Sequence, residues 1–125
     1  MIETLEDIRL EKKGIDTFVN VFGGSYQKLA PDDIDYRILD NSGKVIAYAE
    51  VIRRNRTIRN CYPLPIIARK LVKLHDKRLN PVCIWVCEDG IVYAKIGKIS
   101  GSIKMEEDWM VYFDKDSSFK YIKFL

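Results

Sequence analysis

The sequence contains few of the residues from which zinc sites and nucleophilic hydrolase sites are built. It has one histidine, His75, and three cysteines, none of them in a CxxC pair. Zinc sites and Ser-His-Asp or Cys-His systems need more histidine or closer cysteine spacing, so the sequence argues against both. Cys61, Cys83 and Cys87 also lack the spacing of a disulfide framework, which favours a reducing compartment.

Long apolar runs are missing too. No stretch approaches the roughly 18 apolar residues that a membrane span needs, and the charged first residues do not resemble a signal peptide. Gly23-Gly24-Ser25 lacks the lysine and hydroxyl residue of a phosphate-binding P-loop. We therefore expect a cytoplasmic protein with no membrane partner and no nucleotide site.

What is present is the balance of an ordinary globular domain. Of the 125 residues, 47% are hydrophobic and 31% are charged, enough apolar material for one domain over residues 1–125. The net charge is only +3, but the basic residues cluster. Such a cluster attracts phosphates, or it is simply a solvated face. The first group is Arg53, Arg54, Arg56 and Arg59, and the second, on a predicted helix, is Lys70, Lys73, Lys77 and Arg78.

Hydrophobic periodicity and turn residues predict an α/β fold in which a mixed central sheet is flanked by helices. Residues 17–22 are ambiguous between a short strand and a continuation of the first helix. The predicted elements are a helix over 3–13, a hairpin of strands 34–39 and 44–53, a helix from about 64–66 to 79, strands 82–87 and 91–96, and a C-terminal hairpin of 109–113 with 119–124.

Two carboxylates carry the chemical prediction. A turn near Asn41–Gly43 brings Asp35 opposite Glu50, and directly opposed side chains lie about 5 Å apart at Cβ. Two acids so close repel each other unless a divalent cation neutralises them, and Mg²⁺ suits such oxygen ligands. A solvated charged face is the other interpretation. Against it, Glu50 interrupts an otherwise apolar strand, where an acid needs a partner.

The hairpin resembles the core of the PD-(D/E)XK nuclease superfamily. That family places an aspartate on one strand and a (D/E)-x-K tripeptide on the next, within an αβββαβ core, and the resemblance covers about residues 1–97. It implies that Asp35 takes the aspartate role and Glu50 the (D/E) role. Asp33 would take the aspartate role if the register is displaced by two, and Glu6 or Glu3 would match the helix glutamate of some members.

The chain departs from this pattern at Ile52, which stands where the family has its lysine. The resemblance leaves two interpretations. In the first, the positive charge comes from Lys70, Lys73 or Arg53 instead of the motif lysine. The protein is then a Mg²⁺- or Mn²⁺-dependent DNA endonuclease. Alternatively, the domain is inactive and binds nucleic acid or a partner protein. Proteins of this fold commonly cut two strands as dimers, so we expect a homodimer, and the C-terminal hairpin beyond residue 105, outside the resemblance, is the place to look for its surface. If the protein is a nuclease, the basic cluster is expected to hold the DNA backbone through Arg53, Arg54, Arg56 and Arg59. A third possibility is an interaction protein that shares only the fold.

Overall fold

The computed structural model describes residues 4–30, 34–77, 79–98, 102–104 and 109–125. Over these residues the chain forms two α-helices, nine strands and two short 3-10 segments at Ile58–Asn60 and Ile96–Lys98. The helices are α1 (Leu5–Phe22) and α2 (Ala68–Asp76). The strands are β1 (Ser25–Lys28), β2 (Tyr36–Leu39), β3 (Val45–Arg53), β4 (Leu64–Ile67), β5 (Pro81–Val86), β6 (Gly90–Lys95), β7 (Ser102–Lys104), β8 (Met110–Phe113) and β9 (Lys120–Lys123).

The strands form two sheets. The main sheet has six strands in the order β1-β2-β3-β5-β6-β9, and a smaller sheet has the order β4-β8-β7. In the main sheet β3 and β5 are parallel, with β4 and α2 in the crossover between them, while the other neighbours are antiparallel. This confirms the predicted α/β class and the mixed sheet flanked by helices.

Helix α1 is longer than the predicted helix over 3–13. It begins with a capping box, in which the Thr4 side chain and Asp7 bond to each other's backbone N–H groups. Residues 17–22 continue the helix because Phe18 and Val19 extend its buried face past Gly14. Gly14 does not stop the helix; a Cβ there would lie 2.3 Å from Val86 Cγ2, so glycine allows α1 to approach the sheet closely.

The C-terminal hairpin and the start of the second helix were predicted wrongly. Residues 64–67 form β4, which pairs with β8, so α2 begins only at Ala68. Residues 110–113 and 120–123 do not pair with each other: β8 joins β4 and β7, whereas β9 joins β6. Alternating apolar residues such as Val111 and Phe113 demand a partner sheet but do not specify which strand supplies it.

Two apolar cores lie on the two faces of the main sheet. The first lies under α1 and includes Ile15 and Ile84, whereas the second contains Trp85 and Leu74 and is closed by α2 and the small sheet. Among the described residues, Glu50 is the one buried charged side chain, with 1% of its surface exposed. None of the described helices has the length and apolar character that crossing a membrane requires.

Candidate carboxylate site

The β2–β3 hairpin brings Asp35 and Glu50 together. Tyr36 is paired with Ala49 in this hairpin, so Asp35, which directly precedes β2, lies beside Glu50 of β3. The turn between the strands is held by the Asp40 carboxylate, which accepts hydrogen bonds from the backbone N–H groups of Ser42 and Lys44. The turn joins the two strands, and the register shift between Ile38 and Leu39, which leaves Ile46 without a partner in β2, places Asp35 opposite Glu50.

Each of the two carboxylates is held by backbone from the neighbouring strand. The backbone N–H of Asp35 donates to Glu50 Oε2 at 3.3 Å, and the N–H of Val51 donates to Asp35 Oδ2 at 2.9 Å. These bonds fix the orientation of both side chains before any ligand arrives. The site is therefore preorganised by the hairpin itself.

Lys70 supplies the positive charge at this site. Its Nζ lies 2.9 Å from Glu50 Oε1, and 39% of the Lys70 side chain is exposed. Apart from this ammonium, no donor of the described residues bonds to the buried Oε1. The ammonium neutralises the carboxylate, and a cation at this oxygen would take the place of the ammonium.

The position of Lys70 in α2 indicates that it serves the carboxylates rather than the helix. It is the third residue of α2, whose first turn contains no acid and whose N-cap residue, Ile67, makes no side-chain cap. A cation in the first turn opposes the helix dipole. The ion pair with Glu50 offsets that unfavourable interaction.

Burial and mutual electrostatic interactions shift the pKa values of Glu50, Asp35 and Lys70. Burial first, and then the nearby Asp35 carboxylate, raise the pKa of Glu50 to about 7, although Lys70 opposes the change. Burial also raises the pKa of Asp35, against the opposing effects of the Val51 N–H and Lys70. Burial alone would lower the pKa of Lys70, but the surrounding carboxylates outweigh it and raise that pKa.

A third acid, Glu11 of α1, lies near this pair and was not predicted. Its negative charge contributes to the raised pKa values of Asp35 and Lys70, and it forms an ion pair with Lys28 at 2.6 Å. Glu6, predicted as the helix acid, instead pairs with Arg9 at 2.7 Å with both side chains exposed. Glu3 and Asp33, two further acids that the resemblance brought into consideration, lie outside the described residues. The signal in the sequence was the helical spacing, which puts Glu11 one turn before the buried Ile15.

Two further predicted positions are Lys73, the other candidate lysine, and Ile52, which stands where the family has its lysine. Lys73 lies on the next turn of α2 with an exposed side chain, and the contact with Glu50 is made by Lys70. Ile52 is two residues after Glu50 on the same face of β3 and is half-buried against the second core. The position of the family lysine is therefore occupied by apolar packing.

The four arginines of the basic cluster divide into two pairs. Arg53 pairs with Asp7 of α1, and Arg54 donates to the carbonyl oxygens of Cys61 at 2.9 Å and Pro63 at 3.2 Å. These two side chains hold β3 to α1 and to the following loop. Arg56 and Arg59 are exposed in that loop. Along β3, Arg53 is about 10 Å from Glu50.

Asp35 and Glu50 offer the hard oxygen donors that a divalent cation of the magnesium type prefers. Within the part of the chain that the structure describes, no three His, Cys, Asp or Glu side chains are placed to hold an ion by themselves. Mg²⁺ commonly takes only one or two protein carboxylates and completes its shell with water and phosphate oxygens. Asp35 and Glu50 are the two carboxylates at this site that could serve as such ligands.

Comparisons with known proteins give no match. No protein-family model, no curated protein and no solved structure matches the chain.

Proposed function

We propose that this protein is a metal-dependent nuclease that hydrolyses DNA phosphodiester bonds, of the PD-(D/E)XK type. The observation that carries the proposal is the convergence of Asp35, Glu50 and Lys70 from three separate places in the fold. The order of α1, β1–β3, α2 and β5 supports it, with β4 of the small sheet inserted between β3 and α2. Small nucleases also commonly act as pairs, so we include a homodimer in the proposal.

Asp35 and Glu50 would hold Mg²⁺ or Mn²⁺. When bound, such an ion polarises a phosphoryl oxygen and lowers the pKa of a bound water. Glu50 must give up its proton to serve as a ligand, because only the carboxylate binds a hard cation well. The raised pKa of Glu50, about 7, therefore predicts that activity increases as the pH rises through neutrality.

Lys70 would supply the positive charge that Ile52, at the position of the motif lysine, cannot supply. An isoleucine offers a phosphate no charge and no hydrogen bond, whereas Lys70 brings an ammonium to the same carboxylate from α2. Once Glu50 is neutralised in another way, this ammonium can pair with a phosphate oxygen. Lys70 would thus stabilise the negative charge that develops during hydrolysis.

Arg56 and Arg59 would contact the DNA backbone. Both are exposed in the loop after β3, whereas Arg53 and Arg54 are engaged within the protein. Exposed guanidinium groups bind phosphates through charge-assisted hydrogen bonds. The proposed DNA contacts therefore rest on two arginines rather than on all four.

A plasmid-nicking assay tests the proposal. Supercoiled DNA is incubated with the protein and Mg²⁺ or Mn²⁺, and Glu50→Gln, Asp35→Asn and Lys70→Met are purified in parallel. We expect the first two to reduce the metal-dependent rate by about 100-fold or more and Lys70→Met by about 10-fold or more. Glu6→Gln and Lys73→Met are the matched controls and should remain within about two-fold. Equal nicking by wild type and Glu50→Gln would overturn the assignment.

A second candidate function is DNA binding without cleavage. The observations that favour it are the apolar packing of Ile52 and the ion pair by which Lys70 already neutralises Glu50. Binding measured across a salt series separates the candidates: a binder loses affinity steeply with salt and makes no nicks. Arg56→Ala with Arg59→Ala should weaken binding, and Lys123→Ala is the control. Absence of binding at low salt would leave a protein that acts through other partners.

A further inference from the structure

A cavity of about 660 Å³ lies on the α1 face of the main sheet, apart from the carboxylate site. Its volume is within the range of small-molecule sites and far above that of a packing defect. Its floor includes Ile38, Ala47 and Val82, one from each of three adjacent strands. Glu50 is on the opposite face of β3, as its contact with Lys70 of α2 shows.

The cavity exists because the helix ends before the sheet does. Helix α1 stops at Phe22, and Gly23, with φ of 86°, turns the chain away from the helix axis. The side chain of Ala47 is too small to fill the space that the helix leaves. At the edge, Asn80 adopts a left-handed φ of 41° and donates to the carbonyl of Ile46 at 2.9 Å, which holds this rim in place.

One wall of the cavity is aromatic. Phe18, Phe22 and Tyr93 contact one another with ring centroids 4.8 to 5.4 Å apart, and Tyr93 meets both phenylalanines edge-on. Phe22 is 56% exposed, so part of this wall faces solvent. A set of rings already in mutual contact offers a flat aromatic ligand further edge and face contacts at low entropic cost.

The charged side chains that line the cavity among the described residues are basic. Its described lining includes Lys95 and Lys120 and no acid. Lys120 is paired with Tyr93, two residues from Lys95, so the two lysines are diagonal neighbours on adjacent strands. Diagonal neighbours lie about 7–8 Å apart and project from the same face. Both ammonium groups therefore lie within reach of one carboxylate at the rim.

We propose that this cavity binds a small aromatic carboxylate. The ring system would lie against Phe18, Phe22 and Tyr93 over the floor of Ala47, and the carboxylate would pair with Lys95 and Lys120. The site is independent of the proposed nuclease chemistry, because it lies on the other face of the sheet and shares no residue with it. The proposal is therefore tested by ligand binding alone.

The test compares two probes of the same shape and opposite charge. The full-length chain is titrated with 2-naphthoate and with 2-naphthylmethylammonium, and binding is followed through backbone amide NMR shifts. We expect 2-naphthoate to bind with a Kd below about 1 mM and to shift Gly23, Val82 and Ala94. The cation should bind at least about ten-fold more weakly. Equal affinities, or shifts confined to another surface, would overturn the proposal.

Two variants separate the ring contacts from the charge contacts. Lys95→Glu with Lys120→Glu should weaken 2-naphthoate at least about ten-fold, whereas Lys123→Glu, on the opposite face of β9, should not. Ala47→Leu should weaken it by filling the floor. The charge variants are exposed and test the site even if Ala47→Leu does not fold. Sedimentation that shows a stable dimer, together with loss of these shifts, would assign the cavity to a second copy and refute the proposal.

Discussion

The carboxylate site and the aromatic cavity lie only about 10 Å apart along β3, yet they are built on opposite principles. On one face, Glu50 is buried and is neutralised by Lys70 of the same chain. On the other, the floor around Ala47 is apolar and open, with Lys95 and Lys120 at its rim. A buried charge demands a partner within the fold, because leaving it alone costs far more than leaving apolar surface exposed.

This difference predicts how each region responds to change. The stability of the carboxylate site should depend on charge and on pH, whereas that of the cavity face should depend on side-chain volume. Substitutions and pH changes that alter one of these properties and leave the other in place can therefore test the two regions separately.

The largest effect is expected from Lys70→Met, which removes the ammonium and keeps an apolar stem. At pH 8 the free energy of unfolding should fall by about 2–3 kcal/mol, because Glu50 would be left buried without a counter-charge. The partial exposure of Lys70 keeps the loss below that of a fully buried pair. Urea denaturation measures it. Glu50→Gln in the same chain should recover most of the loss, and failure to recover would contradict the assigned ion pair.

The pH dependence of stability follows from the raised pKa of Glu50. The ordinary value is 4.5 and the folded value is about 7, so the folded chain holds this proton more tightly. The resulting stability is complete below about pH 4.5 and is lost as the pH rises through 7. From pH 5 to pH 8 we expect a loss of about 2 kcal/mol, with Asp35 acting in the same direction. Glu50→Gln should show a flatter profile, and an unchanged slope would refute the shift.

On the cavity face, the approach of α1 to the sheet should be sensitive to one methyl group. Gly14→Ala would place a Cβ 2.3 Å from Val86 Cγ2, whereas a Cβ at Gly97 meets nothing within 4 Å. We expect Gly14→Ala to destabilise the protein by about 1–2 kcal/mol through overpacking, despite the better helix propensity of alanine. Gly97→Ala should change stability by less than about 0.5 kcal/mol. Thermal unfolding of both variants would show whether the contact is as close as described.

The smallest effect concerns the floor of the cavity. Ala47→Val adds two methyl groups where space exists and should stabilise the protein by about 0.5 kcal/mol. Ala49→Val is the matched control, because Ala49 is fully buried two residues further along the same face of β3. It should destabilise the protein. The same sign for both variants in urea denaturation would mean that the two positions do not differ in packing.

The sequence predicted the hairpin that carries the two acids because its signals are local. Asp40 to Gly43 form the turn and alternation marks both strands, while the register shift between Ile38 and Leu39 places Asp35 opposite Glu50. The C-terminal hairpin predicted from the same kind of signal was wrong. The alternation of residues 110–113 and 120–123 is equally clear, but their partners are β4 and β6, distant in sequence. Alternation shows that a strand has a buried face and does not identify its neighbour.

By itself, therefore, the sequence determined the α/β class, the hairpin and the pairing of Asp35 with Glu50. Only the tertiary structure decided that Lys70 rather than Lys73 meets Glu50, that Glu11 approaches from α1, and that a cavity opens beyond Phe22. The reason is physical: turns are set by neighbouring residues, whereas the partners of a strand and the contacts of a helix depend on where packing places them.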